Sequence, residues 1–204
     1  MRLLRCADSG LLVEVDDVAE VRALHQALTD ERPHGVIDFV PAPRTLLLLL
    51  DPRLTDVTEV ERAVLSARFR SEEHGSAPEV VHVPVVYDGA DLAAVARLTG
   101  LTENEVVAAH TSSEWTVGFD GFAPGFGYLS GGPEALTVPR RSEPRTRIPA
   151  GAVGLAGEYS GIYPRDSAGG WQLIGHTEME IWHTDHNPPA LLRPGVRVRF
   201  QEAA

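Results

Sequence analysis

The chain has 204 residues, 43% of them hydrophobic, and a net charge of −11, which suits one large or two small folded domains and excludes intrinsic disorder. The acidic balance argues against a nucleic-acid partner, because that binding depends on neutralising phosphates. All 18 basic residues are arginine, so a Walker phosphate-binding lysine, a Schiff-base amine and a biotin-attachment lysine are excluded from this chain.

In chain order, the N-terminal Met1-Arg-Leu-Leu-Arg-Cys6 has no apolar core of the signal-peptide kind. The longest apolar run, Leu46 to Leu50, is strand-sized and far short of a membrane span. Cys6 is the single cysteine; it cannot form an internal disulfide, which fits the cytoplasm, and it is expected as a small buried residue of a first strand.

Leu11 to Val15 reads as a strand, and Asp16 and Asp17 open a helix with Val18, Val21, Leu24 and Leu28 at helical spacing. Val36 to Val40 and Thr45 to Leu50 read as two strands joined at Pro41 to Arg44. Thr55 or Asp56 caps a second helix that turns Val57, Val60, Val64 and Leu65 inward. Val80 to Tyr87 supplies another strand. This β-α-β-β-α-β order is that of a ferredoxin-like sandwich whose last strand leads into the next domain, with the polar, Pro/Gly-bearing stretch Arg70 to Pro78 as a linker. Two domains are therefore expected, 1–77 and 78–204.

The second domain begins with two short helices. Asp91 to Leu98 ends at Gly100, and Thr102-Glu-Asn-Glu105 forms a capping box. The pair looks like a helix-turn-helix, but its second helix would present Glu103 and Glu105 to phosphate, which excludes DNA reading. From Gly121 to Gly175 the texture changes, with 12 of the 19 glycines and six of the 15 prolines. Short strand-like segments at Ala135 to Val138, Val153 to Ala156, Trp171 to Ile174, Met179 to His183 and Val196 to Phe200 are those of a small β-barrel. The expected class is α+β.

Three clusters carry chemistry. Gly121-Phe-Ala-Pro-Gly-Phe-Gly-Tyr-Leu129 combines sharp turns with flat rings and free amides. Val138 to Pro149 holds four arginines in eight residues, a chemistry suited to carboxylate or phosphate. Tyr159 to Thr177 joins a Gly-Gly loop to Trp171, His176 and Thr177. Singly, each has an ordinary reading as turn, solvated face or core. His183 and His186, at i, i+3, are expected on opposite pleat faces and not as metal ligands.

In this order and spacing the clusters resemble the family that includes the B subunit of bacterial 5-oxoprolinase, allophanate hydrolase subunit 1 and the sporulation kinase inhibitor of bacilli, related to the carboxyltransferase domain, subdomain C and D. The matching stretches are Val83 to Tyr87, His110 to Ser113, Gly121 to Leu129, Val138 to Arg145, Pro149 to Gly154, Gly161 to Pro164, Gly169 to Thr177 and Leu192 to Gly195. Gly127, Ala152 and Ala168 depart from the Pro, Ser and Pro usual in the family.

The resemblance implies a cyclophilin-like barrel for the second domain and a place in an ATP-dependent 5-oxoprolinase. Such an enzyme converts 5-oxo-L-proline, ATP and water to L-glutamate. The chain would be inactive alone and would form a hetero-oligomer with partner proteins like the C and A subunits of that enzyme. ATP enters as co-substrate of the holoenzyme, with no metal or biotin on this chain. For the small anionic cyclic amide, the expected ligand set is Arg140 and Arg145 for anions and Gly125, Gly169 and Gly170 for backbone donors. Phe126, Tyr128, Tyr163 and Trp171 serve as walls beside Thr177, and His176 transfers protons. Two other readings stay open: an inhibitor docking on a sensor histidine kinase, and a urea- or allophanate-type carboxyltransferase component.

Overall fold

The computed structural model describes residues 1–67 and 80–203, so the expected linker, Arg70 to Pro78, lies outside the described residues. The chain divides into two compact units, Met1–Ala77 and Pro78–Ala204.

The first unit contains β1 (Arg2–Cys6), β2 (Gly10–Glu14), α1 (Val18–Asp30), β3 (Val36–Pro41), β4 (Thr45–Leu50) and α2 (Val57–Ser66). Its sheet is antiparallel in the order β1-β2-β4-β3. Period-two alternation sends Leu11, Val13, Leu46, Leu48 and Leu50 to the face covered by Val21, Leu24 and Leu28 of α1 and by Val60 and Val64 of α2. The Asp17 and Asp56 carboxylates cap the two helices, accepting from Glu20 N at 2.9 Å and Thr58 N at 2.6 Å.

Two expectations are corrected here. Leu65 is 63% exposed, because one residue past Val64 is about 100° around the helix, off the buried stripe. Cys6 is exposed, since it shares the parity of Leu4, opposite Leu3, which packs on the core. As expected, the strand Val80–Val85 leads into the second unit, and within the first unit Arg2–Cys6 fills the fourth place in the sheet.

The second unit opens with β5 (Val80–Val85), α3 (Leu92–Thr99) and α4 (Glu103–Ser112). There follow β6 (Trp115–Asp120), β7 (Gly127–Ser130), β8 (Arg145–Ile148), β9 (Ala152–Ala156), β10 (Tyr159–Ile162), β11 (Ser167–Gly169), β12 (Gln172–His176) and β13 (Arg197–Glu202). Seven strands form one sheet, β12-β9-β10-β7-β6-β13-β5. Val86 and His176 exchange two backbone hydrogen bonds of 2.9 Å across its ends, which all but closes a barrel. At that seam a Cβ on Gly89 would lie 2.4 Å from Gly175 N, so only glycine fits. Strands β8 and β11 form a separate two-stranded antiparallel sheet.

Alternation in β9 serves two cores. Val153 and Leu155 enter the barrel interior with Trp115, Val117 and Phe200. Ala152 and Ala156 instead join Phe126, Tyr163 and Trp171 in a smaller outer cluster. Two expected strands are absent. Glu134–Leu136 is a single 3-10 turn, and Met179 to His183 contributes one bridge, Trp182 to Ala190. Pro133 begins the one, and the closing turns at Pro188 and Pro189 end the other.

Candidate functional site

The site is built by the turn between β6 and β7. Phe126 N donates to Ala123 O at 2.9 Å, with Pro124 and Gly125 between them. Gly125 has φ +82°, as the third position of a type II turn requires. Phe122 stands in the left-handed region at φ +65°, a conformation costing about 1 kcal/mol for a residue with a Cβ. The turn thereby buries Phe126 and leaves Phe122 58% exposed at the rim.

Phe126 is the hub of a ring cluster. Its centroid lies 5.3 Å from Phe122, 5.1 Å from Tyr128, 5.2 Å from Tyr163 and 5.2 Å from Trp171, all edge to face. A cavity of about 200 Å³ opens beside it, lined by Phe122, Phe126, Tyr128, Arg140, Tyr163, Gly169, Gly170 and Trp171. Gly169 must be bare, because a Cβ there would meet the Tyr163 hydroxyl at 2.5 Å. Burial pushes that hydroxyl up to about 12, against a lowering contact with the Trp171 backbone, so Tyr163 stays a neutral phenol at neutral pH.

The arginines divide into two kinds. Arg140 reaches the cavity, and among the described residues it makes no hydrogen bond or ion pair. Arg141 and Arg145 instead converge on Asp91, which is 2% exposed. Arg141 Nη1 donates to Asp91 Oδ1 at 2.6 Å, and Arg145 donates through Nη1 to Oδ2 and through Nη2 to Oδ1, both at 2.8 Å. Leu173 N adds a fourth bond at 2.8 Å. Burial alone raises the Asp91 carboxyl. The bonds from Arg145 and Leu173 and the charges of Arg145 and Arg141 outweigh it and hold the group below its usual value.

The other expected residues stand elsewhere. Gly125 backs onto Trp182, whose Cβ is 2.8 Å from the position of a Gly125 Cβ. Arg145 spends its fork on Asp91, and Thr177 holds a turn, accepting from Met179 N at 3.1 Å. His176 pairs through Nδ1 with Asp88 at 2.8 Å and does not line the cavity. The His183 and His186 rings stack at 4.2 Å; a turn with His186 N donating to His183 O brings them together, contrary to the opposite pleat faces expected of extended chain. Among the described residues, no group of three His, Cys, Asp or Glu is arranged to hold a metal, and no helix is long and apolar enough to cross a membrane.

Three residues were missed from sequence. The linear pattern places Phe122 in a loop and Asp91 at a helix start, and nothing in it pairs Asp91 with arginines 50 and 54 positions away. His110 is fully buried, with Nδ1 2.7 Å from the Tyr87 hydroxyl and Nε2 2.8 Å from Ser160 Oγ. Burial lowers it to about 3, so it serves as a neutral hydrogen-bonding post inside the barrel.

A family model described as carboxyltransferase domain, subdomain C and D, matches residues 1–192. The protein named as the B subunit of 5-oxoprolinase in Escherichia coli is 43% identical over 172 residues, 81% of this chain and 78% of that protein. Its namesake from Bacillus subtilis is 37% identical over 191 residues, 85% and 79% of the two chains. The crystal structure of TTHA0988 is 39% identical, with a TM-score of 0.82 over 96% of this chain; this chain spans only 40% of that longer one.

Proposed function

The chain belongs to the carboxyltransferase domain, subdomain C and D, family, and on that premise we propose that it is the B-type subunit of an ATP-dependent 5-oxoprolinase. The observation that carries this reading is its likeness, at 43% and 37% identity, to two proteins of that name along most of their length.

The reaction opens the lactam of 5-oxo-L-proline with ATP and water to give L-glutamate, ADP and phosphate. The substrate is a small ring bearing one carboxylate. The unspent Arg140 guanidinium takes the carboxylate in a charge-assisted bond. In this reading Phe126, Tyr128, Tyr163 and Trp171 flank the ring, and the amides of Gly169 and Gly170 are assigned to the carbonyl oxygen as it gains charge. His176 lies outside this ligand site. With no lysine for ATP phosphates, nucleotide binding falls chiefly to partner chains of the C and A types, in the cytoplasm. The chain alone then has no turnover.

The test is ATP-dependent glutamate release from 5-oxoproline, measured for the chain alone, the partners alone and the reconstituted mixture. Turnover in the mixture only is the expected result. Glutamate release by the partners without this chain, or none in the mixture, overturns the reading.

A further inference from the structure

Three aspartates stand at helix N-caps, and one of them does not cap. Asp17 and Asp56 accept hydrogen bonds from their own helices, whereas Asp91, before α3, makes no side-chain cap bond. Another set of contacts holds this carboxylate in place of the cap bonds an N-cap aspartate ordinarily accepts. Those contacts are Arg141, Arg145 and Leu173 N.

The consequences reach the cavity along one short segment. Gln172 Nε2 donates to Pro139 O at 3.1 Å, and Arg141 N donates to Gly170 O at 2.8 Å. Arg145 pairs with Gly169 across the two-stranded β8–β11 sheet. Arg140 sits between the first two of these restraints, and Gly169 and Gly170 line the cavity. Of the four arginines in the run, Arg141 and Arg145 are consumed by Asp91 and Arg147 by Asp166, the last at 2.7 Å. Arg140 alone of the four is left to line the cavity.

We propose that Asp91 is a positioning residue for this site: by tying Arg141 and Arg145 to the start of α3 and to β12, it holds the Gly169–Gly170 floor in place and aims Arg140 at the ligand carboxylate. It touches no substrate and acts through its neighbours. The proposal rests on the reading of the cavity as the 5-oxoproline site. Because the carboxylate is also what neutralises two partly buried guanidinium groups, its loss releases both to compete with Arg140 or to turn to solvent.

The experiment uses the reconstituted complex with Asp91→Asn, an isosteric change, and the milder Arg141→Gln, which keeps the Asp91–Arg145 pair. Asp91→Asn is expected to raise KM for 5-oxoproline about tenfold or more while kcat falls less than about threefold, since ligand placement and not bond breaking is disturbed. Arg141→Gln moves KM the same way by a smaller factor. A phenylglyoxal protection map, read by peptide mass spectrometry, tests the positioning without any turnover. In the parent protein Arg140 reacts and Arg141 and Arg145 are protected, and in Asp91→Asn the protection is lost. An unchanged KM in both folded variants, or equal labelling of all three arginines in the parent, overturns the proposal. A parent complex with no 5-oxoproline turnover but the expected labelling pattern overturns the substrate reading and supports the positioning.

Discussion

Single residues set the shape of the cavity more than any long motif does. Gly169 is the clearest case, because the Tyr163 hydroxyl occupies the space of its missing side chain, with Ile148 Cδ1 at 2.9 Å on another side. Gly169→Ala must displace a ring that is 1% exposed, and it is expected to lower stability by about 1–3 kcal/mol, read as a shift in urea midpoint at constant slope. Asp120 offers a pH-dependent counterpart. Burial raises its carboxyl to about 6, and among the described residues its Oδ1 has no hydrogen-bond partner. A raised carboxyl favours the protonated fold, so its contribution is present at acid pH and is lost as pH rises through 6. Asp120→Asn should therefore stabilise the protein at pH 8, by about 1 kcal/mol after allowance for partial exposure, and give no gain near pH 4. A gain that is constant across that range contradicts the assignment.

At the scale of elements, helices were easier to read than strands. The α4 capping box is formed in both directions, with Glu105 N donating to Thr102 Oγ1 at 3.2 Å and Thr102 N to Glu105 at 2.8 Å. Thr102→Ala should cost about 1 kcal/mol of stability by chemical unfolding. The same helix carries His110, held neutral in the barrel at about 3 against an ordinary 6.5. A folded value below the unfolded one means the unfolded chain binds the extra proton. Stability should then fall as pH drops from about 6.5 toward 3, and this part of the slope should flatten in His110→Phe. The strands β6, β7 and β10 escaped a linear reading because Gly118, Gly127 and Gly161 interrupt their apolar alternation. Gly127 and Gly161 answer tertiary contacts. A Cβ at Gly161, for instance, would lie 3.0 Å from both Phe126 and Trp171, a constraint that exists only after the sheet has formed.

For the molecule as a whole, the α+β class could be read from the pattern of elements, and the clustered Gly, Arg and aromatic residues hold the segments that line the cavity. Which arginine carries the free charge could not be read. Arg140, Arg141 and Arg145 are alike in sequence, and only the fold brings Asp91 to two of them and leaves the third at the cavity. The lysine-free composition bears on assembly in the same way, since it removes one usual means of holding nucleotide, and for that reason the proposed function gives the task to a partner. The most direct measurement is the steady-state hydrolysis of 5-oxoproline by the reconstituted complex carrying Arg140→Ala, with Arg147→Ala as the paired-arginine control. The account predicts that Arg140→Ala raises KM by a factor of about 10–100, as loss of a charge-assisted bond to a carboxylate implies, while Arg147→Ala stays near the parent. Unchanged KM in a folded, assembled Arg140→Ala complex would contradict it.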